Sequence, residues 1–157
     1  YARRLPPSAV PDPRVQGLVR ALAEGRLRDS VRTAPFAEAV PAVEDARAEG
    51  ILDARGRAEL LEYLYVNEAN AEAKRSGWLA GIAVLERGLD RVPGSGALTS
   101  ARRVFRSNWT AEVHNRFAAH FNARRFEEAA RVLEEGLALD PGNPTLLKDL
   151  ETLRAAR

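Results

Sequence analysis

The 157 residues include no cysteine and no methionine, and only 6% of them are aromatic. Without cysteine the chain has no disulfide, no thiol nucleophile and no cysteine-based zinc site, and the redox compartment stays open. No apolar run approaches the roughly 20 residues that a membrane-spanning helix needs. No segment alternates apolar and polar residues with period two, the pattern of a half-buried strand. The sequence therefore predicts an all-α fold.

The chain begins with Tyr1 rather than methionine. We therefore expect a processed product or an excised part of a longer protein, which a signal peptide or membrane anchor could precede. The chain would then lie either in the cytoplasm or in the periplasm, as part of an anchored protein. Arginine outnumbers lysine by 22 to 2, and alanine is abundant. This bias is typical of a GC-rich genome and indicates a bacterial origin.

The net charge of +2 is unevenly spread. Residues 1–35 carry seven Arg and three acids, a net charge of +4, and the remainder carries −2. Such a basic segment could touch nucleic acid or anionic lipid, but a solvated arm is the favoured interpretation. Arg102, Arg103 and Arg106 form a second basic cluster. It lacks an aromatic platform beyond Phe105, assigned to the core, so nucleic acid is not an expected partner.

Four prolines near the start of the chain, at positions 6, 7, 11 and 13, predict an extended arm over residues 1–12. Asp12 as N-cap and Pro13 at the first helical position predict a helix that ends near Gly25. Its apolar positions share one face: Val15, Leu18, Val19 and Leu22.

Further amino-terminal helices are predicted up to residue 53. Ser30 is suited to cap a short turn. Pro35 and Pro41 interrupt the pattern, and a helix over roughly 41–49 should stop near Gly50.

From residue 54 onward the sequence repeats itself once. VLERGLDRVPGSGAL at 84–98 matches VLEEGLALDPGNPTL at 132–146. In each copy the Val and Leu positions form the buried face of a helix, Gly permits close approach of a neighbour, and Pro-Gly ends the helix. Helices are predicted over 54–76, from 78 to the Pro-Gly at 93–94, over 97–107, and again from 108 as the series restarts. Buried positions are expected to include Leu61, Leu64, Tyr65, Ala69, Ile82, Leu85, Leu89, Leu98, Ala101, Val104 and Phe105.

These copies resemble the tetratricopeptide repeat family. The family's second helix has a small residue, a large apolar residue four positions later, and Pro twelve after the small one. The copies supply Gly81, Leu85 and Pro93, and Ala129, Leu133 and Pro141, with Trp78 and Phe126 as the aromatic residues that open the helix.

The resemblance covers residues 62–95 and 110–143 but not 1–55, and an extra helix lengthens the spacing from 34 to 48. The first helices depart from the family pattern. The resemblance implies two units, 54–107 and 108–157, in which helical hairpins stack as a short right-handed superhelix within one compact domain. The amino-terminal helices would close one end and residues 144–156 the other.

The sequence offers little catalytic chemistry. His114 and His120 are six residues apart and face different directions on a helix, whereas metal ligation from one helix wants a spacing of four. The glycines of PGSG (93–96) lack the strand and the Lys-Ser/Thr of a phosphate-binding loop. We expect no enzyme activity, no metal and no cofactor.

The first helix of each tetratricopeptide-like pair lines the family's peptide-binding surface, and its Asn commonly binds a peptide backbone or carboxylate. An alternative left open is that these Asn residues brace adjacent helices. The resemblance gives these candidate partner-binding residues: Tyr63, Asn67, Asn70, Lys74, His114, Asn115 and Asn122, with Arg116 nearby.

The leading hypothesis is a non-catalytic module that binds a peptide or protein partner in a helical groove. The second is an accessory region of a larger bacterial envelope enzyme such as a peptidase. A third is self-association through exposed repeat ends. A stack of only two units has little sequence to cover its two end faces, which could then pair with another copy.

Overall fold

The computed structural model describes residues 12–156, so the predicted arm lies outside the described residues except for Asp12. Within this range the chain forms α-helices and no strand, which confirms the predicted all-α fold class. Its helices are α1 (Pro13–Thr33), α2 (Phe36–Ala48), α3 (Ala54–Ser76), α4 (Trp78–Arg91), α5 (Gly96–Asn122), α6 (Phe126–Leu139) and α7 (Pro144–Ala155).

Helix α1 begins as predicted but is longer. The backbone N–H of Arg14 donates to Asp12 Oδ1 at 2.9 Å, and Pro13 occupies the first turn. The expected end near Gly25 and the cap at Ser30 are wrong, because the helix continues to Thr33. A glycine in a helix interior costs only about 1 kcal/mol. That cost is too small to end a helix whose next turns bury Val31.

Helix α2 starts earlier than predicted, at Phe36, and carries Pro41 in its interior. The proline removes the N–H that would bond the Ala37 carbonyl. Both residues are exposed, so water can satisfy that carbonyl. The predicted stop holds: Gly50 has a φ of +75°, a left-handed conformation that ends the helix.

Tertiary contacts divide the chain into two units at Tyr65–Val66, inside α3. In the first unit α2 and α3 are joined by an ion pair in which Arg57 Nε and Nη2 lie 2.6 and 2.7 Å from the Glu44 carboxylate oxygens. The ring of Phe36 meets that of Tyr65 edge-on at 5.1 Å. The buried apolar residues of this unit include Val31, Ala39, Val43, Ala46, Leu52, Leu60, Leu61, Leu64 and Tyr65.

Asp53 caps the start of α3. The backbone N–H of Gly56 donates to its Oδ1 at 2.7 Å, and this hydrogen bond is the main cause that lowers the pKa of Asp53. Because the folded-state pKa lies below the unfolded one, the stabilisation is present above the unfolded pKa. It is lost as the pH falls through the folded value.

In the second unit α4 packs on α5, and α5, α6 and α7 pack together. The separation into a helix over 97–107 and another from 108 is wrong, because α5 runs unbroken from Gly96 to Asn122. Phe105 and Trp109 are four residues apart and both buried, so the buried face of the helix continues through the expected break. Val104 points the other way and is 53% exposed, which corrects its predicted burial.

The duplicated stretches form matching turns. The N–H of Val92 bonds the Gly88 carbonyl and that of Asp140 bonds the Gly136 carbonyl, so α4 and α6 end at equivalent residues. Ser95 and Asn143, which also occupy equivalent positions of the two copies, then cap α5 and α7 with their side chains. Both caps are buried. The duplicated residues therefore have a structural role: they end one helix and start the next.

Candidate binding groove

A groove of about 610 Å³ runs along one side of α5 in the second unit. Its wall is Trp78, the first residue of α4, and its floor is a single face of α5. The residues that line it are Trp78, Asn108, Ala111, Glu112, Asn115, Arg116 and Ala119.

The core of the second unit determines which face of α5 becomes the groove. Trp109, Val113 and Phe117 are buried against α6 and α7, so the side chains on the other side of α5 remain outside. Ala111, Asn115 and Ala119, at steps of four, are exposed. Residues with that spacing share one face of a helix, which makes the floor continuous.

The wall residue is held by an aromatic contact. The rings of Trp78 and Phe105 meet edge-on, with centroids 5.3 Å apart and an interplanar angle of 86°. Trp78 is half-buried, so one part of its indole packs on α5 while another part borders the groove. An anchored aromatic of this kind gives a ligand apolar contact area at a low entropic cost.

The groove combines small, amide and charged side chains. The two alanines leave room for a ligand backbone, and the amides of Asn108 and Asn115 can each donate and accept. Glu112 and Arg116 lie one turn apart. Arg116 Nη2 also approaches Glu135 on α6 at 3.6 Å, an exposed pair that contributes little to stability. This set suits hydrogen bonding to a peptide backbone with a charged group on either side.

Of the predicted partner-binding residues, Asn115 lines the groove, and Arg116, expected nearby, lines it as well. Tyr63, Asn67 and Lys74 lie on α3, and none of them lines the groove.

Two other asparagines differ in what their amides do. Asn70 Nδ2 donates to the Val66 carbonyl of its own helix at 3.0 Å, which occupies one of its two N–H groups. Asn122 is the last residue of α5 and is exposed, away from the groove.

His114 faces α7 rather than the groove. Its Nδ1 lies 2.8 Å from Asp149 Oδ2, and the Asp149 side chain is 9% exposed. The pair joins α5 to α7, a bracing role. His120 lies elsewhere on α5 and, within the part of the chain described, its buried Nδ1 has no hydrogen-bond partner. Among residues 12–156 no cluster of three or more His, Asp or Glu is arranged for a metal ion.

We expect His114→Ala to lower the free energy of unfolding by about 1–3 kcal/mol, since it leaves the buried Asp149 carboxylate without its partner. Urea denaturation measures the loss. Asp149→Ala in the same background should restore part of it, because the double variant has no unpaired acid. His120→Ala is the matched histidine control, with a smaller expected loss. Equal losses in the His114→Ala single and the double variant would contradict the bracing role.

Sequence reasoning missed Trp78 and Asn108 as groove residues. The repeat pattern assigned Trp78 only to the opening of a packed helix, and Asn108 fell at the expected helix break. Asn108 and Asn115 are seven residues apart, which places them on the same face of a helix. This spacing indicates a shared surface only if one unbroken helix contains both residues.

Comparisons with protein-family models, curated proteins and solved structures give no match for this chain. None of the helices described between residues 12 and 156 has both the length and the apolar character that a bilayer span requires. The case for a function therefore rests on the residues themselves.

Proposed function

We propose that this chain is a non-catalytic interaction module, related in design to tetratricopeptide repeats, whose α5 groove binds an extended segment of a partner protein. The observation that carries the proposal is the placement of Asn115 on the groove floor beside the Trp78 wall. Within residues 12–156 the Asn115 side-chain amide makes no hydrogen bond, so both its donor and its acceptor remain available to a ligand.

The dimensions of the groove support a short peptide. From Asn108 to Ala119 the floor extends about 16 Å along α5 at 1.5 Å per residue. An extended peptide advances about 3.3 Å per residue, so the floor matches about five residues. An Asn amide can pair with one peptide N–H and one C=O, and it carries no charge that must be desolvated.

The repeated architecture supports a scaffold role. The turns after α4 and α6 match. Ser95, in the first turn, caps the start of α5. Asn143, in the second turn, caps α7 and also bonds Thr110 on α5. A rigid α5 presents its groove residues without an ordering cost at the moment of binding, which favours affinity.

The experiment is a peptide-array screen with the full chain, followed by fluorescence titration of the peptides that bind. Trp78 borders the groove, whereas Trp109 is buried. The change in tryptophan fluorescence on binding should therefore come mainly from Trp78, and Trp78→Phe should remove it. We expect Asn115→Ala to weaken binding by about 2- to 10-fold, the effect of one hydrogen bond.

Asn122→Ala is the matched control, because Asn122 is an exposed asparagine on the same helix that does not line the groove. Its affinity should equal that of the unmodified chain. Equal binding by Asn115→Ala and the unmodified chain would overturn the groove assignment.

Asn67→Ala tests separately whether α3 belongs to the same surface, as the resemblance implies. A loss comparable to that of Asn115→Ala would place the peptide across both helices. Unchanged affinity would confine the site to α5.

A further inference from the structure

Helix α1 carries an apolar stripe that is exposed among the described residues of its unit, 12–65. Val15, Leu18, Val19 and Leu22 are 54%, 63%, 60% and 57% exposed. Their spacing of three and four residues places them on one face over two turns. Exposed aliphatic residues scattered singly are ordinary, but four on one helix face mark an interaction site.

The core of the first unit uses the other side of α1. Val31 is buried and Leu27 half-buried near its carboxyl end, and Arg20 Nε donates to the Ile51 carbonyl at 3.1 Å. The stripe is therefore not needed to attach α1.

A groove of about 660 Å³ lies beside the stripe and shares Val15 and Val19 with it. Ala23, Gly50 and Ile51 also line this groove. The polar residues Gln16, Arg20 and Glu49 complete its lining. The surface thus has an apolar ridge, formed by Leu18 and Leu22, next to a depression of mixed lining.

We infer that the occupant of this surface is a second copy of the chain, with the two α1 helices packed antiparallel. The stripe is self-complementary in that direction. Val15 of one copy faces Leu22 of the other, and Leu18 faces Val19, so each contact pairs a larger with a smaller side chain. Such a two-fold contact uses the same patch on both copies.

Charge selects the antiparallel direction. Arg26 continues the stripe one turn beyond Leu22, so a parallel pair would set Arg26 against Arg26 of the other copy. In the antiparallel pair Arg26 instead lies beside Asp12, near the amino-terminal end of the other α1. Opposite charges on the rim of an apolar contact fix its register.

A lipid surface is a poorer match for the same face. Helices that lie in a membrane interface typically carry Trp, Phe or Leu on the apolar side and Lys or Arg on the opposite one. Helix α1 contains no aromatic residue, and Asp29 lies close to the line of the stripe. On the side opposite the stripe, Val31 is buried and Arg20 Nε donates to the Ile51 carbonyl, so part of that side is engaged within the protein.

The contact is small, since a stable interface buries about 800 Å² per partner and here four half-exposed side chains dominate. The dimer is therefore concentration-dependent. Sedimentation velocity on the full chain, from the low micromolar to the sub-millimolar range, should show a monomer–dimer equilibrium.

Leu18→Glu sets a charge at the centre of the contact and should raise the dissociation constant at least about 10-fold. Val104→Glu is the matched control, because Val104 is 53% exposed on α5, and it should leave the equilibrium unchanged. Leu18 is exposed in the monomer, so the variant folds, which circular dichroism verifies. Arg26→Glu should also weaken the dimer, and more strongly at low salt.

The absence of native cysteine allows a test of direction. A mixture of Val15→Cys and Leu22→Cys chains should form mixed disulfide dimers under mild oxidation, whereas Val15→Cys alone should form few. A chain that stays monomeric throughout, a dimer that Leu18→Glu leaves unchanged, or efficient Val15→Cys self-linkage would each overturn the inference. So would binding to anionic vesicles that Leu18→Glu abolishes in a chain that never dimerises.

Discussion

Gly81→Ala is expected to lower the free energy of unfolding by about 1–3 kcal/mol, although alanine is the better helix former. An added Cβ would lie 2.6 Å from Phe105 Cε1 and 2.8 Å from the Ala69 carbonyl oxygen. The oxygen belongs to the backbone of α3 and the ring is held against Trp78, so neither can yield cheaply. Helix α4 must then shift away from its neighbours, and urea denaturation measures the cost.

The second copy of the repeat shows how the same position accepts alanine. Ala129 is the counterpart of Gly81, and it is fully buried. The counterpart of Phe105 is Leu153, which is smaller. The counterpart of Ala69 is Phe117, whose bulk occupies a position where the first copy has only a methyl group. The two copies therefore fill equivalent spaces with different combinations of side chains, as close packing requires.

This comparison predicts a rescue. Phe105→Leu alone should destabilise the chain by removing a buried ring. The double variant Gly81→Ala and Phe105→Leu should be more stable than the sum of the single losses by about 1 kcal/mol. The rescue is partial, because the Ala69 carbonyl remains in place.

Gly25→Ala is the matched control for Gly81→Ala. Gly25 also lies inside a helix, but a Cβ there would meet nothing within 4 Å. We expect a gain of about 0.4–1 kcal/mol from the reduced freedom of the unfolded chain. Equal effects of the two substitutions would show that the close approach at Gly81 contributes nothing.

Local signals predicted the helices that end in strong stop residues. The Pro-Gly pairs at 93–94 and 141–142 located the ends of α4 and α6, and Gly50 located the end of α2. Each acts through the backbone: proline lacks an N–H, and Gly50 and Gly94 adopt positive φ. Weaker signals failed where packing opposed them, as at Gly25 and across Ser107-Asn108 in α5.

The candidate site was predicted only in part because a groove depends on which helices pack together. Asn115 came from the family resemblance and lies on the groove floor, but Trp78 joins it through a contact with Phe105 on a different helix. The His114–Asp149 pair spans 35 residues and has no local sequence signal. Helical periodicity predicts which face of a single helix is buried, but it does not predict which residue of another helix that face contacts.

The second large effect is expected at Asn143, the buried cap of α7. Its Oδ1 accepts hydrogen bonds from the backbone N–H groups of Thr145 and Leu146, each at 3.2 Å. Its Nδ2 donates to Thr110 Oγ1 at 2.9 Å and to Asp140 Oδ2 at 3.1 Å. One side chain thus starts α7, closes the turn from α6 and reaches across to α5.

Asn143→Ala should lower the free energy of unfolding by about 2–4 kcal/mol, because the lost cap costs about 1 kcal/mol and each lost buried bond adds a similar amount. The repeat supplies the variant that separates these terms. Ser95 occupies the equivalent position and caps α5 by accepting from the Leu98 N–H at 3.1 Å. Asn143→Ser should therefore keep the cap and lose only the bonds to Thr110 and Asp140, with an intermediate stability. If Asn143→Ser were as unstable as Asn143→Ala, the cap would contribute nothing, and the contribution of Asn143 would lie entirely in its ties to α5 and the turn.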